Sequence, residues 1–330
     1  MIKTAAGNLL VLCGVFLFSF LAGEGLVRLN YKKLSGYNME MWRYASDLKE
    51  PRKDPRLPFV HYPGREGGYY GAHLKTNALG FRDRDMPAEK AAGVKRILFL
   101  GDSFTLGWGV PFDETYSQRL EKMLNGRGRR VETVNAGVGN YNSVMELELF
   151  KLKGLAMDPD LVILMYYIND PEPTPRVAAS LEYNLIKHSY LIAFLFDRYI
   201  KLKPLMDKHY DWKAYYAGLF KEDSPGFAAN RQALQDLIKL CADRKIKLLI
   251  VNIPELRVLK DYPFPMATQF IESIAKEGRV PFLDLLPALA PEDPRSLWVT
   301  PEDPHANSKA NALMAEAIFK KLQQDPSLLH

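Results

Sequence analysis

The sequence predicts an α/β protein, a doubly wound domain on about five parallel strands, entered from an N-terminal membrane helix. Three observations carry this. Short, nearly continuous apolar runs recur from residue 96 onward, as in strands buried on both faces. Segments with apolar residues along one helical face separate them. The first 30 residues contain an uncharged stretch of membrane-spanning length. At 330 residues, 47% hydrophobic and 25% charged, the chain can bury a large core, which excludes a disordered, collagenous or polytopic membrane protein. Lys and Arg number 44 against 39 Asp and Glu; the resulting +5, without a dense basic run, gives no nucleic-acid footprint. Two cysteines, Cys13 and Cys241, exclude a disulfide framework and a cysteine metal cluster, and they leave the compartment open.

Taken in order, the first element is the anchor. Between Lys3 and Glu24 lie 20 uncharged residues, about the length that crosses the hydrocarbon layer. A cleaved signal is the rival, but a cut after Ala22 puts Phe20 where a small residue is needed. A lipid-modified Cys13 would need a small residue where Leu12 stands. The expectation is therefore an uncleaved anchor over 1–30. Its orientation is contested: Arg28, Lys32 and Lys33 follow the span, and only Lys3 and the amino terminus precede it. Taken alone, the positive-inside rule keeps the following domain in the cytoplasm.

The alternation then runs through 93–330. Strands are expected at 96–100 (RILFL), 131–134, 161–165, 248–252 and 280–285. Helices are expected at 116–124, 143–157, 228–242, 266–274 and 308–322, the last with Ser308 as N-cap. Two regions stand outside. Residues 31–92 are rich in Gly, Pro, Tyr and Arg, with turn signals at Pro63 with Gly64 and Gly67 with Gly68; they read as an irregular or small β extension packed on the main domain. Residues 171–226 open with Pro171, Pro173 and Pro175 and hold an apolar patch at 191–196. An insertion that long points to a lid or a substrate wall.

Ligands of such sheets sit beyond the carboxyl ends of the strands. The first strand runs into Gly101, Asp102 and Ser103, and the second into Asn135, Gly137, Gly139 and Asn140. The third runs into Tyr167, Asn169 and Asp170, and Glu302, Asp303 and His305 come after the fifth. A serine hydroxyl needs a base to become a nucleophile, and His305 titrates in the right range. A carboxylate must orient that imidazole, and Asp303 or Glu302 can do so. A tetrahedral oxyanion needs preorganised donors. Candidates are the Ser103 N–H, an N–H in the turn of Gly139 and Asn140, and the Asn169 amide; Asp102 and Asp170 read as supports. Trp108 and Tyr167 are candidates for stacking on a sugar, and Tyr166 reads as core. Each residue alone also fits an ordinary turn, cap or core position. A nucleotide loop does not fit, since Gly101, Gly107 and Gly109 match neither phosphate-binding spacing.

At these four blocks the chain resembles the SGNH hydrolases, the GDSL esterase/lipase superfamily, over about residues 93–330. Gly101, Asp102 and Ser103 match the nucleophile block, with Phe104 where the name motif has Leu. Asn169 with Asp170 matches the third block, and His305 with its preceding acid the last. The resemblance implies a three-layer, flavodoxin-like fold and the hydrolysis or transfer of acyl esters through an acyl-serine, with no metal or organic cofactor. Three departures stand out. Asn140 occupies the second block's glycine position, and Tyr167 stands where the third block has Gly. The family's acid usually lies three before the His, which is Glu302; Asp303, two before it, resembles the anchored bacterial members. Pro304 holds Asp303 in extended backbone, which puts Asp303 and His305 on one side, so Asp303 is favoured and Glu302 is the runner-up. The anchored members imply a domain outside the cytoplasm, periplasmic or at the cell surface, and a substrate that is an O-acyl, often O-acetyl, saccharide or envelope polymer. Two alternatives stay open: a lipid esterase or lysophospholipase with 191–196 as its lid, and a catalytically lapsed scaffold in an envelope polysaccharide machine.

Overall fold

The computed structural model describes residues 2–87, 89–175, 188–206 and 211–329. They fall into a smaller unit, Met1–Ser46 with Ala178–Tyr210, and a larger one, Asp47–Val177 with Asp211–His330.

In the larger unit the chain first makes two antiparallel hairpins. Strand β1 (Lys49–Asp54) pairs with β2 (Leu57–His61), and β3 (Glu66–Tyr69) pairs with β4 (Ala72–Lys75). The apolar runs then become β5 (Lys95–Gly101), β6 (Val131–Asn135), β7 (Leu161–Tyr167), β8 (Lys247–Ile253) and β9 (Phe282–Asp284). They form one parallel sheet of order β6-β5-β7-β8-β9, the doubly wound α/β fold that the alternation predicts. A last hairpin joins β10 (Trp298–Thr300) to β11 (Asp303–Ala306).

Burial on both faces explains why these strands are continuously apolar. Ile97, Phe99, Ile163 and Met165 point to one face, where Leu120, Leu124, Met314 and Ile318 of helices Tyr116–Asn125 and Ser308–Gln324 cover them. Leu98, Leu100, Val162 and Leu164 point to the other, under Met145, Leu234, Leu237 and Ile271 of helices Ser143–Leu149, Phe227–Asp243 and Pro265–Glu277. Because β5 lies between β6 and β7, the chain leaves it in one direction and later returns on its other side. A crevice opens at such a switch point, beyond Gly101.

Two local expectations are corrected. The helix expected over 143–157 is α-helical only through Ser143–Leu149; a π turn, Phe150–Gly154, and a 3-10 turn, Leu155–Met157, follow. The π turn closes at Gly154, where an added Cβ would stand 2.5 Å from the Phe150 ring. The N-cap of the last helix is Asn307, not Ser308: the Asn307 Oδ1 accepts the N–H groups of Lys309 (2.9 Å) and Ala310 (3.1 Å).

The stretch 31–92 contains both hairpins and, at its start, helices Tyr31–Leu34 and Tyr37–Leu48. Of the insertion expected at 171–226, residues 176–187 and 207–210 lie outside the described residues. Its apolar patch belongs to helix Tyr190–Met206 of the smaller unit, where Leu191, Ile192, Ala193 and Phe194 pack with Val27, Met39 and Trp42. In the same unit the Glu24 carboxylate accepts the N–H groups of Tyr190 (3.1 Å) and Leu191 (2.9 Å) and the Ser189 hydroxyl (2.8 Å), capping that helix. Helix Ile2–Leu29 is long and apolar enough to cross a membrane over Gly7–Leu29, by the test that an anchor and a signal sequence both pass.

Arg82, fully buried, joins the segment after the hairpins to the turn after β5. Its guanidinium donates to the carbonyls of Leu106, Gly107 (2.6 Å) and Val110 (2.6 Å). Arg82→Met should therefore lower stability by about 3 kcal/mol, because it leaves buried carbonyls without their charged donor. Denaturant unfolding checks this; a loss under about 1 kcal/mol would mean that water replaces the guanidinium.

Candidate active site

The turn after β5 is built by what it lacks. A Cβ on Gly101 would stand 1.9 Å from Thr105 Oγ1, so only glycine lets the chain fold back this tightly. Asp102 then caps helix Ser103–Leu106, accepting the Phe104 N–H at 2.8 Å. Gly107, in the left-handed conformation at φ 75°, ends it. Ser103 is thereby placed at the first position of a short helix, above the sheet edge.

His305 reaches the same place from β11. Its Nε2 lies 2.8 Å from Ser103 Oγ, and its Nδ1 lies 2.5 Å from Asp303 Oδ1, which also accepts the His305 backbone N–H at 3.1 Å. The second Asp303 oxygen accepts the Trp108 indole N–H at 3.0 Å. Burial alone would push the Asp303 carboxyl up, but His305 and these hydrogen bonds outweigh it and hold it below the ordinary carboxylate range. Glu302 is exposed beside the buried Asp303 and is not the residue on Nδ1.

The other two blocks close on the first. Asn169 donates its amide to Asp102 Oδ2 at 3.3 Å. Asp170 accepts the Tyr167 N–H at 3.3 Å and so ties the turn after β7. After β6, the Asn135 amide donates to the Thr105 carbonyl (2.7 Å), and Gly137 packs so closely that a Cβ would lie 2.2 Å from the Leu106 nitrogen. Asn140 is left-handed at φ 66°, the conformation that makes glycine the usual choice and Asn the cheapest substitute. Asn140 and Asn169 line one cavity of about 350 Å³, together with Lys49, Phe59, Tyr141 and Glu172.

The two sugar-stacking candidates are corrected. Trp108 is 1% exposed, stacked on Tyr69 with centroids 6.1 Å apart, its N–H committed to Asp303. Tyr167 is 6% exposed and lies 4.4 Å from the Phe104 ring. Neither ring keeps an open face for a saccharide. Tyr166 is core.

Sequence reasoning missed three groups. Lys49 donates to the Gly139 carbonyl (2.6 Å) and to Asn140 Oδ1 (3.0 Å), and burial pushes its ammonium down to about 7. Arg82 braces the turn after Ser103. Glu146 lies buried close to Asp170 and Asp102; burial, then those two neighbouring acids, drive its carboxyl well above the ordinary range. No local pattern marks any of these, since each is defined by residues distant in sequence.

The profile of the GDSL-like lipase/acylhydrolase family matches residues 99–313. The chain belongs to that family, which makes it an ester-hydrolysing enzyme. A search of curated proteins by sequence finds no match. Among solved structures, an acetylxylan esterase from Geobacillus stearothermophilus, crystallised as a catalytic mutant, is similar at 15% identity over 69% of this chain and 94% of that one, with a TM-score of 0.47. A two-domain esterase active on acetylated mannans is similar at 18% identity over 71% of this chain and 50% of that one, with a TM-score of 0.47. A G-D-S-L family protein from Desulfitobacterium hafniense DCB-2 is similar at 17% identity, covering 68% and 98%, with a TM-score of 0.45.

The buried acids set a pH dependence. Glu146 keeps its proton in the folded state at pH values where the unfolded chain has lost it. The folded state then binds more protons, and stability falls as pH rises above the ordinary carboxylate range toward the raised folded value. Glu146→Gln removes that loss. The stability of the variant relative to the unaltered protein should grow as pH rises above the ordinary carboxylate range, with a slope of at most about 1.4 kcal/mol per pH unit. A difference flat in pH, measured by denaturant unfolding, would show that Glu146 is ionised in the fold.

Proposed function

We propose that this protein is a membrane-anchored serine esterase that removes or transfers O-acyl groups, O-acetyl foremost, on a saccharide or cell-envelope polymer. The observation that carries the reading is the hydrogen-bonded series from Ser103 Oγ through His305 to Asp303 at the switch point of the sheet. His305 Nε2 takes the Ser103 proton as Oγ attacks the ester carbonyl. The oxyanion is held by the N–H groups of Ser103 and of the turn at Gly139 and Asn140, and by the Asn169 amide. Asp303, kept ionised, stabilises the imidazolium, and Trp108 holds its second oxygen. His305 then protonates the departing alcohol. Water attacking the acyl-serine completes hydrolysis, and a second hydroxyl completes transfer.

The substrate class is supported by the cavity beside Asn140 and Asn169. Its polar lining, with Lys49, Asn140, Asn169 and Glu172, suits a hydroxylated ring better than a long acyl chain. The apolar helix Ile2–Leu29 supports an anchor, and the resemblance to anchored members of the family supports a catalytic domain outside the cytoplasm.

Ser103→Ala should lower turnover of p-nitrophenyl acetate by roughly 10³-fold or more with little change in stability. A fluorophosphonate probe should label Ser103 and no other serine, as read by mass spectrometry. Near-normal turnover in the variant would sink the mechanism, and a rate rising with acyl length would favour a lipid ester instead. Asp303→Asn should cut kcat by up to about 10⁴-fold, by analogy with triads in which the amide holds the wrong tautomer, while Glu302→Gln should cost far less. For topology, alkaline phosphatase fused after His330 should be active in cells; an active cytoplasmic reporter with inactive phosphatase would reverse the orientation.

A further inference from the structure

We infer that Lys49 is a positioning residue for the oxyanion hole: its ammonium fixes and polarises the peptide group between Gly139 and Asn140, whose N–H is one of the donors. The inference rests on Ser103 being the nucleophile and concerns the residue that makes one donor effective.

Lys49 comes from β1, far from the catalytic blocks in sequence, and is 9% exposed. Its Nζ lies 4.1 Å from the centroid of the Phe59 ring, a contact that favours a buried cation. The carbonyl it holds, at 2.6 Å, belongs to Gly139. That carbonyl and the Asn140 N–H are two ends of one planar peptide group. In a trans peptide they point in opposite directions, so a carbonyl drawn toward Lys49 sends the N–H away from it. Among the described residues no hydrogen bond uses that N–H.

Two physical effects follow. The first is orientation. Asn140 sits at φ 66°, a conformation that costs a non-glycine residue free energy unless its surroundings hold it. Lys49 holds both sides of the peptide, through the Gly139 carbonyl and through Asn140 Oδ1 at 3.0 Å. The second is polarity. A cation on the carbonyl oxygen draws electron density through the amide and makes its N–H a stronger donor, with greater effect where water is scarce. The charge acts on the developing oxyanion without touching substrate.

The charge is itself titratable, since burial pushes the ammonium down to about 7. Among the described residues, the titratable groups facing it include His61, its register partner on β2, and Tyr141 and Glu172 along the cavity wall. His61 is pushed down to about 3 by burial and by Lys49 itself, so it is neutral where the enzyme works.

The test uses the full chain with p-nitrophenyl acetate. Lys49→Met keeps the length of the stem and deletes the charge. It should lower kcat by about 10- to 100-fold, less than loss of a whole oxyanion donor, and change KM by less than about 3-fold. It should also remove a fall in kcat on the alkaline side that the unaltered protein shows. Lys49→Gln, which keeps an N–H but no charge, should give a smaller kcat loss and no alkaline fall, and it serves if Lys49→Met does not fold. An unchanged kcat, a loss confined to KM, or an alkaline fall that persists in either variant would overturn the role of Lys49 while leaving Ser103 as nucleophile. An unaltered protein with no turnover and no labelled Ser103 would overturn the nucleophile reading and this inference together.

Discussion

At Gly101 the chain has no room for a side chain, and the rest of the site depends on that. With Thr105 Oγ1 1.9 Å from where a Cβ would stand, β5 can turn back within one residue, and helix Ser103–Leu106 begins directly at the sheet edge. The Thr105 carbonyl then meets the Asn135 amide, and the Leu106 and Gly107 carbonyls meet Arg82. Gly137 can lie against the same turn because it too lacks a Cβ. A tight start to one short helix therefore fixes where the turns after β6 and β7 come to rest.

Burial in this site pushes four acids the same way, and their partners decide the outcome. Asp102, Glu146 and Asp170 are desolvated and sit close enough to repel one another, and burial raises all three. Asp303 is almost as deeply enclosed, yet a histidine, an indole N–H and a backbone N–H converge on it and keep it ionised. The difference lies in the partners, not in the depth. A triad needs an anion next to its base, and the lowering at Asp303 supplies one there.

The extension before the sheet contributes more than a covering. Lys49 and Arg82 both send a buried cation onto backbone carbonyls of the two turns that carry the proposed oxyanion donors and nucleophile. A cation that holds a carbonyl fixes its turn in advance, so the protein moves little when charge develops.

Much of the fold was legible because few arrangements bury a run such as residues 96–100 on both sides. Strand ends differ from expectation by one or two residues: the first four strands match or run past the apolar run, and β9 stops where its pairing to β8 ends. Helix 143–157 was misread in its second half because Phe150 and Gly154 close a wider turn by contact, which the apolar spacing does not record. The sequence by itself determined that three polar clusters follow strand ends, and so share one edge; hairpin β10–β11 brings the fourth to them. It also made Asp303 the nearer acid, because a single proline separates it from His305 and local backbone preference reaches that far. Only the tertiary structure decided what is contacted from a distance: the Trp108 indole on Asp303 instead of on a sugar, Arg82 on the turn after Ser103, and Lys49 on the peptide of Asn140. Those partners lie 24 to 195 positions apart, and periodicity carries no information beyond the element in which it is read.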